Sequence, residues 1–436
     1  MRCLNAFVLM LKYSLVALGV GHVALFMSIE KFVQPYARVT YFMNVGSLVY
    51  GAGASSVVGI EAKRLRTRES PIFLVTDKGV MKTGIPQKIK ETIEKEGIQV
   101  DVYDGLASEP TIESARKLVE RERESKHSLV VGVGGGTAMD SAKTAAMMAT
   151  NTGDIGDYLA FGEDRFKEKS LPKILIPTTS GTGSEVSMFA IIIDKTGTKN
   201  WIAGPKLLAD VAVVDALNTM SCPPRQTAAS GMDALAHSME NVLNLGFTPF
   251  SDMVCLRSIK LIAENLRNAY YWGDNLEARY NMSIAAMLGG LAMGTTPAGA
   301  NIGHCMVEAL GPLYKVPHAV ACGLVTPYVM DYNMPACIER LAMVAEAMGL
   351  DVHGLSKRDA ATMAVQATRD LVKDVELPTS LKEIGFSKNE IPKTAKYLVE
   401  ERQSYYLLQT YNPRRLTIEN VTELLENMYD GQIAGD

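Results

Sequence analysis

The feature that most constrains this chain is a change of period at Pro223-Pro224. Before it, from about residue 40 to 217, short apolar runs alternate with helical patterns; after it only helical patterns remain. The runs Pro71–Thr76, Gln99–Tyr103, Ser128–Val133, Lys173–Pro177, Phe189–Ile193 and Val211–Asp215 read as strands, with helices predicted over 85–96, 111–123 and 138–150. Strand and helix in alternation argue for a parallel sheet covered on both faces. Such sheets bind their ligands beyond the carboxyl ends of the strands. Past the proline pair the spacing predicts helices over 226–243, 251–270, 276–293, 319–332, 336–348, 358–372, 388–401 and 417–428, a helical bundle.

Within the helical half one constellation carries chemistry. Asp233 and His237 are four apart and project from one helical face. His304 and His318 follow, with Gly311-Pro312 and Pro317 between them, so two segments must bring them together. Each alone reads as an ordinary helix residue. As a set, one carboxylate and three imidazoles suit a divalent transition metal, and they use three of only six histidines in the chain.

The α/β half offers two donor-rich loops at strand ends. Gly134-Gly135-Gly136-Thr137 leaves one strand and enters a helix, with Thr137 and Asp140 spaced as a capping box. Free amides at that helix start suit a pyrophosphate, although a ligand-free tight turn fits the same residues. The second loop, Pro177-Thr178-Thr179-Ser180-Gly181-Thr182-Gly183-Ser184-Glu185, presents hydroxyls and amides to phosphate or ribose oxygens, or is a polar surface turn. Asp77 ends the first strand; its carboxylate is placed either to accept ribose hydroxyls, favouring NAD over NADP, or to cap an ordinary Asp77-Lys78-Gly79 turn.

These pieces, in this order, resemble the iron-containing (group III) alcohol dehydrogenase family. The matching stretches are Val75–Asp77, Gly134–Lys143, Ile176–Glu185, Gly231–His237, Val316–His318 and Asn412–Thr417, and the resemblance runs from about Tyr41 to Met428. It implies an N-terminal dinucleotide-binding α/β domain and a C-terminal all-helical domain with the active site between them, an architecture like that of dehydroquinate synthase. It implies that Asp233, His237, His304 and His318 hold Fe²⁺, or Zn²⁺ in some members. Gly135, Gly136 and Thr137 are expected at the pyrophosphate, Thr178, Thr179 and Thr182 along NAD(H), Asp77 at the adenosine ribose and Lys199 near a ribose. Many members carry a second histidine four residues after the third ligand; here that position is Glu308, one turn from His304. A carboxylate there is placed to relay a proton, to bond a liganding imidazole, or to form a structural i,i+4 pair.

The expected function is therefore a metal-dependent, NAD(H)-linked alcohol dehydrogenase or aldehyde reductase acting on small primary alcohols or aldehydes. The expected division is an apolar extension over 1–26, a nucleotide-binding domain over 27–222 and a metal-binding helical domain over 223–436. Residues 1–26 carry Arg2 and an apolar run split by Lys12; they read as a signal peptide, an anchor, or an over-extended start before Met27. A net charge of −4 gives no field for nucleic acid or an anionic membrane. Six cysteines without a CxxC pair fit a reducing compartment, hence a cytoplasmic protein, and a homodimer or larger homo-oligomer is the family expectation. Cys305, adjacent to His304, is left out of the metal shell because neighbouring helical residues diverge. Two other readings are a sugar-phosphate cyclase of the dehydroquinate synthase type, for which the 303–318 stretch offers only Lys315 as a basic residue, and a non-enzymatic metal-binding protein.

Overall fold

The structure, a computed structural model, describes residues 42–433 apart from 107–108, 160–165, 196, 297–299, 315 and 403–406. The apolar opening 1–26, the alternative start at Met27 and Lys315 lie outside the described residues.

The first half runs β1 (Ser47–Tyr50), α1 (Val58–Leu65), β2 (Ile72–Val75), α2 (Ile85–Glu94), β3 (Val100–Tyr103), α3 (Ile112–Ser125), β4 (Val130–Gly134), α4 (Gly136–Met148), β5 (Lys173–Pro177), β6 (Phe189–Ile193), β7 (Lys199–Ala203) and β8 (Val211–Val214). Six strands form one parallel sheet in the order β1-β8-β5-β4-β2-β3. Every residue of β2, β4, β5 and β8 is buried, as expected of strands covered on both faces. In α2, Ile85, Ile89 and Ile93 recur every fourth residue and turn one stripe toward the sheet. From β2 the chain moves outward to β3 on one side and through β4, β5 and β8 on the other. The switch in strand order therefore falls between β2 and β4, the crevice where such sheets bind ligands.

Two expectations fail in this half. Phe189–Ile193 is a strand, but it does not join the parallel sheet. It pairs antiparallel with β7, because only Asp194 to Thr198 connect them and a crossover needs a dozen residues or more. The Thr137/Asp140 capping box does not form either. The helix begins at Gly136 with Gly135 as an N-cap that makes no side-chain bond. Asp140 instead accepts from Ser184 Oγ at 2.6 Å and from the Ile191 amide at 3.0 Å.

The second half contains α5 (Pro224–Leu243), α6 (Pro249–Tyr271), α7 (Leu276–Met293), α8 (Ile302–Tyr314), α9 (His318–Asn333), α10 (Ile338–Ala347), α11 (Lys357–Asp374), α12 (Ile391–Tyr397) and α13 (Ile418–Asp430). Gly311 and Pro312 lie inside α8, and the chain leaves the helix only before Val316-Pro317. The single helix expected over 388–401 is instead a 3₁₀ turn, then α12, then a π-helical turn over Leu398–Arg402. Among the described residues no helix is long and apolar enough to cross a membrane. A small apolar cluster of Val186, Ala212, Val214, Met287 and Leu291 joins β8 to α7 and fastens the two halves together.

Candidate metal centre and cofactor cleft

Three helices bring the candidate ligands together. On α5, Asp233 and His237 sit one turn apart, with Glu240 following at the seventh position on the same face. His304 lies near the start of α8, and His318 is the first residue of α9. The Nε2 atoms of His237, His304 and His318 stand 3.9, 3.9 and 3.8 Å from a single oxygen, Asp233 Oδ1. These separations are too long for hydrogen bonds. They are close to the spacing of donors sharing one ion, about 3.4 Å for tetrahedral ligands about 2.1 Å away. The His237 and His304 rings stack 4.6 Å apart. His304 Nε2 is buried and has no hydrogen-bond partner, an expensive state for a polar atom unless an ion meets it. The residues present therefore fit a divalent metal.

Electrostatics in this pocket differ from ring to ring. Burial lowers the pKa of His237 and drives that of His318 well below its usual value, the latter helped by the charge of Lys199. Burial also acts against protonated His304, but the adjacent Glu240 carboxylate outweighs it and lifts its pKa to about 9. Glu240 Oε1 lies 2.6 Å from His304 Nδ1, which fixes the ring and turns Nε2 toward Asp233. Glu240 was not foreseen as a site residue; its signal was the i, i+4, i+7 spacing with Asp233 and His237. Cys322 was missed as well. It lies one turn beyond His318 on α9, with Sγ 3.3 Å from Asp233 Oδ1. Cys305, on α8, is buried and outside this cluster.

Glu308 is buried, and its Oε2 accepts from Arg402 Nη2 at 2.6 Å. Lys199 opens β7 and pairs with Glu109 at 2.7 Å. It is near enough to the centre for its charge to act on both His318 and Cys322.

The cleft on the α/β side is built from the two loops. Gly134 has φ +152°, and a Cβ there would meet Ala138 Cβ at 2.7 Å. A Cβ on Gly136 would strike Thr182 Cγ2 at 2.7 Å, so the glycines let the two loops touch. Gly135, Gly136, Thr137, Thr179 and Thr182 are half-buried at this mouth, and Thr178 is buried, its amide bonded to the Gly134 carbonyl at 2.9 Å. α4 begins at Gly136 without a side-chain cap, so the positive end of its dipole lies at this mouth and suits a pyrophosphate. Asp77 serves as the N-cap of the turn at Lys78–Met81 through Oδ1, accepting from Gly79 and Val80, while its Oδ2 faces Gly134. Beneath both loops lies a buried ionic network that sequence reasoning overlooked. Lys143 Nζ donates to Ser184 Oγ, Ser187 Oγ and the Phe189 carbonyl, with Asp140 3.7 Å away. Burial lowers the Lys143 pKa to about 8 and raises that of nearby Glu185 to about 7.

The second loop also docks on the helical half. Ser180 and Ser283 hydroxyls lie 3.1 Å apart, and Gly181 packs against Ser230 of α5. A Cβ on Gly183 would lie 2.5 Å from Gly290 Cα on α7. The 177–185 loop thus packs directly on α5, which carries two of the candidate ligands, and on α7.

Comparison with known proteins agrees with this geometry. The sequence profile "Iron-containing alcohol dehydrogenase" matches residues 46–216, and "Fe-containing alcohol dehydrogenase family, C-terminal" matches residues 227–429. The chain is 35% identical over 398 residues to long-chain-alcohol dehydrogenase 1 of Geobacillus thermodenitrificans, covering 90% of this chain and 98% of that one. It is 34% identical over 385 residues to 1,3-propanediol dehydrogenase of Citrobacter freundii, covering 87% and 96%. Among solved structures, the alcohol dehydrogenase from Oenococcus oeni superposes with a TM-score of 0.84 at 31% identity, covering 90% of this chain and 100% of that one. Neither the cyclase reading nor the non-enzymatic one gains support from these relatives. The chain belongs to the iron-containing alcohol dehydrogenase family and is an oxidoreductase acting on CH–OH groups.

Proposed function

We propose that this enzyme interconverts small primary alcohols and their aldehydes with NAD(H), at a divalent metal held by Asp233, His237, His304 and His318. The observation that carries this reading is the convergence of three imidazole nitrogens on one Asp233 oxygen. The glycine loop and the helix α5 that carries Asp233 and His237 both pack against the 177–185 loop. Residues 27–222 then form the nucleotide-binding domain and 223–436 the metal-binding one. Fe²⁺ is the metal of the family's name, and mixed imidazole and carboxylate donors accept Zn²⁺ equally. Substrates of the size handled by a 1,3-propanediol dehydrogenase fit the same reading.

A divalent ion bound there supplies Lewis acidity toward the substrate oxygen, and the nicotinamide supplies hydride exchange. The protein's part is positional. Glu240 holds His304 in one orientation. Thr178, Thr179 and Thr182 border the cofactor path, Gly135, Gly136 and Thr137 receive the pyrophosphate, and Asp77 Oδ2 faces the ribose and repels a 2′-phosphate. Lys199 sets a positive charge beside the ribose. Glu308, one turn from His304 on α8, is held by Arg402 in a buried charge pair. Asp233, His237 and His304 are buried, while His318 is the ring that stays partly open to solvent. A cytoplasmic homodimer or larger oligomer completes the proposal.

The test is NADH oxidation with a panel of small aldehydes, on protein stripped of metal and refilled anaerobically with Fe²⁺ or Zn²⁺. Activity returning with one metal supports the reading and names the ion. His318→Ala is expected to lose metal-dependent turnover while still binding NADH; unchanged turnover would sink the ligand assignment.

A further inference from the structure

We propose that Lys143 is a positioning residue for the cofactor: from inside α4 it fixes the end of the 177–185 loop against the start of that same helix, and so shapes the cleft that receives the NAD(H) pyrophosphate. This rests on the cofactor reading above and adds a residue to it.

The ammonium of Lys143 is fully buried and has three protons to donate. All three find acceptors: Ser184 Oγ at 2.8 Å, Ser187 Oγ at 3.2 Å and the Phe189 carbonyl at 2.7 Å. A side chain bonded in three directions is held in one place. Asp140, one turn earlier on α4, sets the opposite charge 3.7 Å away and accepts from the Ser184 hydroxyl at 2.6 Å. Ser184 Oγ therefore accepts from Lys143 and donates to Asp140, which ties the loop end to two points on one helix.

From Ser184 the contacts run back to the start of α4. The Ser184 amide donates to Thr182 Oγ1 at 3.1 Å, and Thr182 Cγ2 lies 2.7 Å from where a Cβ on Gly136 would stand. Gly136, Thr182, Ser184 and Lys143 thus form a closed circuit, with Gly136 and Lys143 two turns apart on α4. Opening the circuit at Lys143 lets Ser184 and Thr182 drift from the helix whose positive end faces the cleft. The plain alternative is a buried charge pair that only stabilises the fold.

The experiment titrates the full chain with NADH by fluorescence, unfolds it in denaturant, and assays it with a small aldehyde that the wild type reduces. Lys143→Met is expected to raise the Kd for NADH about tenfold or more, with kcat at saturating NADH near the wild-type value. It also strands the Asp140 charge, so stability falls. Asp140→Asn with Lys143→Met removes both charges, and is expected to recover most of the stability and none of the affinity. Ser184→Ala keeps both charges and breaks the circuit at the hydroxyl, so it too is expected to weaken NADH binding. Lys173→Met is the control: that lysine is also buried, bonds Ser170 Oγ, and opens β5 at the end remote from the 177–185 loop. It is expected to lose stability with no change in Kd. A wild-type Kd in the double variant or in Ser184→Ala would overturn the positioning role and leave the cofactor reading standing. A Kd that rises as far in Lys173→Met would overturn it too, because affinity would then follow stability alone. Wild type that binds no NADH would overturn both readings. Ser184→Ala decides the matter even if Lys143→Met fails to fold.

Discussion

Glu240 grips His304 at two points: its Oε1 lies 2.6 Å from the ring Nδ1 and accepts the His304 backbone N–H at 3.0 Å. The Asn301 amide also donates to this carboxylate. Gly303 makes the approach possible, since a Cβ there would fall 2.4 Å from Oε1. A carboxylate behind a liganding imidazole fixes its tautomer, and losing such a partner costs about 10–100-fold in metal affinity. Glu240→Ala should lower affinity by that factor in a chelator competition, and Glu240→Gln by less, because one carbonyl oxygen remains to accept. Equal affinity in Glu240→Ala and wild type would reduce the contact to packing.

Gly183 and Gly290 predict a second effect. Their backbones touch across the junction between the cofactor loop and α7, and Gly183 also has φ +59°. A methyl on Gly290 would sit 2.5 Å from the Gly183 carbonyl oxygen, and backbone cannot swing aside as a side chain can. Gly290→Ala should cost about 1–3 kcal/mol of stability and raise the KM for NADH, because the loop that yields is the one proposed to line the cofactor path. Gly294→Ala is the control, with only its own helix carbonyl of Leu291 at 3.6 Å. Matching KM values for Gly290→Ala and wild type would show that the junction does not govern the cofactor loop.

Much of this was legible before any coordinates. Ligand types, spacings and the Pro223-Pro224 change of period are local properties, and α5 does begin at Pro224. What escaped reading was non-local. The role of Gly290 depends on a loop more than a hundred residues away, which no local spacing announces. Phe189–Ile193 has the composition of a parallel strand, and only the short return to β7 decides otherwise. Asp140 matched a capping box in spacing, yet Ser184 and Ile191, brought in by tertiary packing, compete for its carboxylate more effectively. Cys322 looked like one more buried thiol because nothing in its own neighbourhood announces Asp233.

The Glu308–Arg402 pair supports a third prediction. Both side chains are buried, Arg402 3% and Glu308 6% exposed, and they join α8 to the π-helical turn ninety-four residues onward. Removing one partner of such a pair strands a charge, at a cost of about 3–5 kcal/mol, whereas removing both is far cheaper. Arg402→Met should therefore destabilise strongly, and Glu308→Gln with Arg402→Met should recover most of the loss in denaturant melts. Additive effects in that double-mutant cycle would mean that the two charges are not coupled, and would return Glu308 to the role of an independent proton relay.

Glu185 gives the pH dependence a sign. It ends the 177–185 loop and is buried, and burial raises its pKa from an ordinary carboxylate value to about 7, with Lys143 opposing the rise. A raised carboxyl pKa means that the folded protein binds the proton more tightly than the unfolded chain. Below the unfolded value, about 4.3, both states hold the proton and Glu185 costs nothing. As pH rises the unfolded chain ionises first, so stability falls until the folded group ionises near 7, and stays level above that. The full loss is about 4 kcal/mol. Lys143 acts in the next window: its pKa is lowered to about 8, so its penalty is present below that value and relaxes as pH climbs toward the lysine range. Glu185→Gln removes the first of these slopes; it also removes a charge that raises the Lys143 pKa, so the second window opens at lower pH than in the wild type. The stability gap between variant and wild type should widen from about pH 4.5 to 7. Denaturant titrations at half-unit pH steps measure it directly, and parallel curves across that window would show that the Glu185 carboxyl titrates alike in the folded and unfolded states.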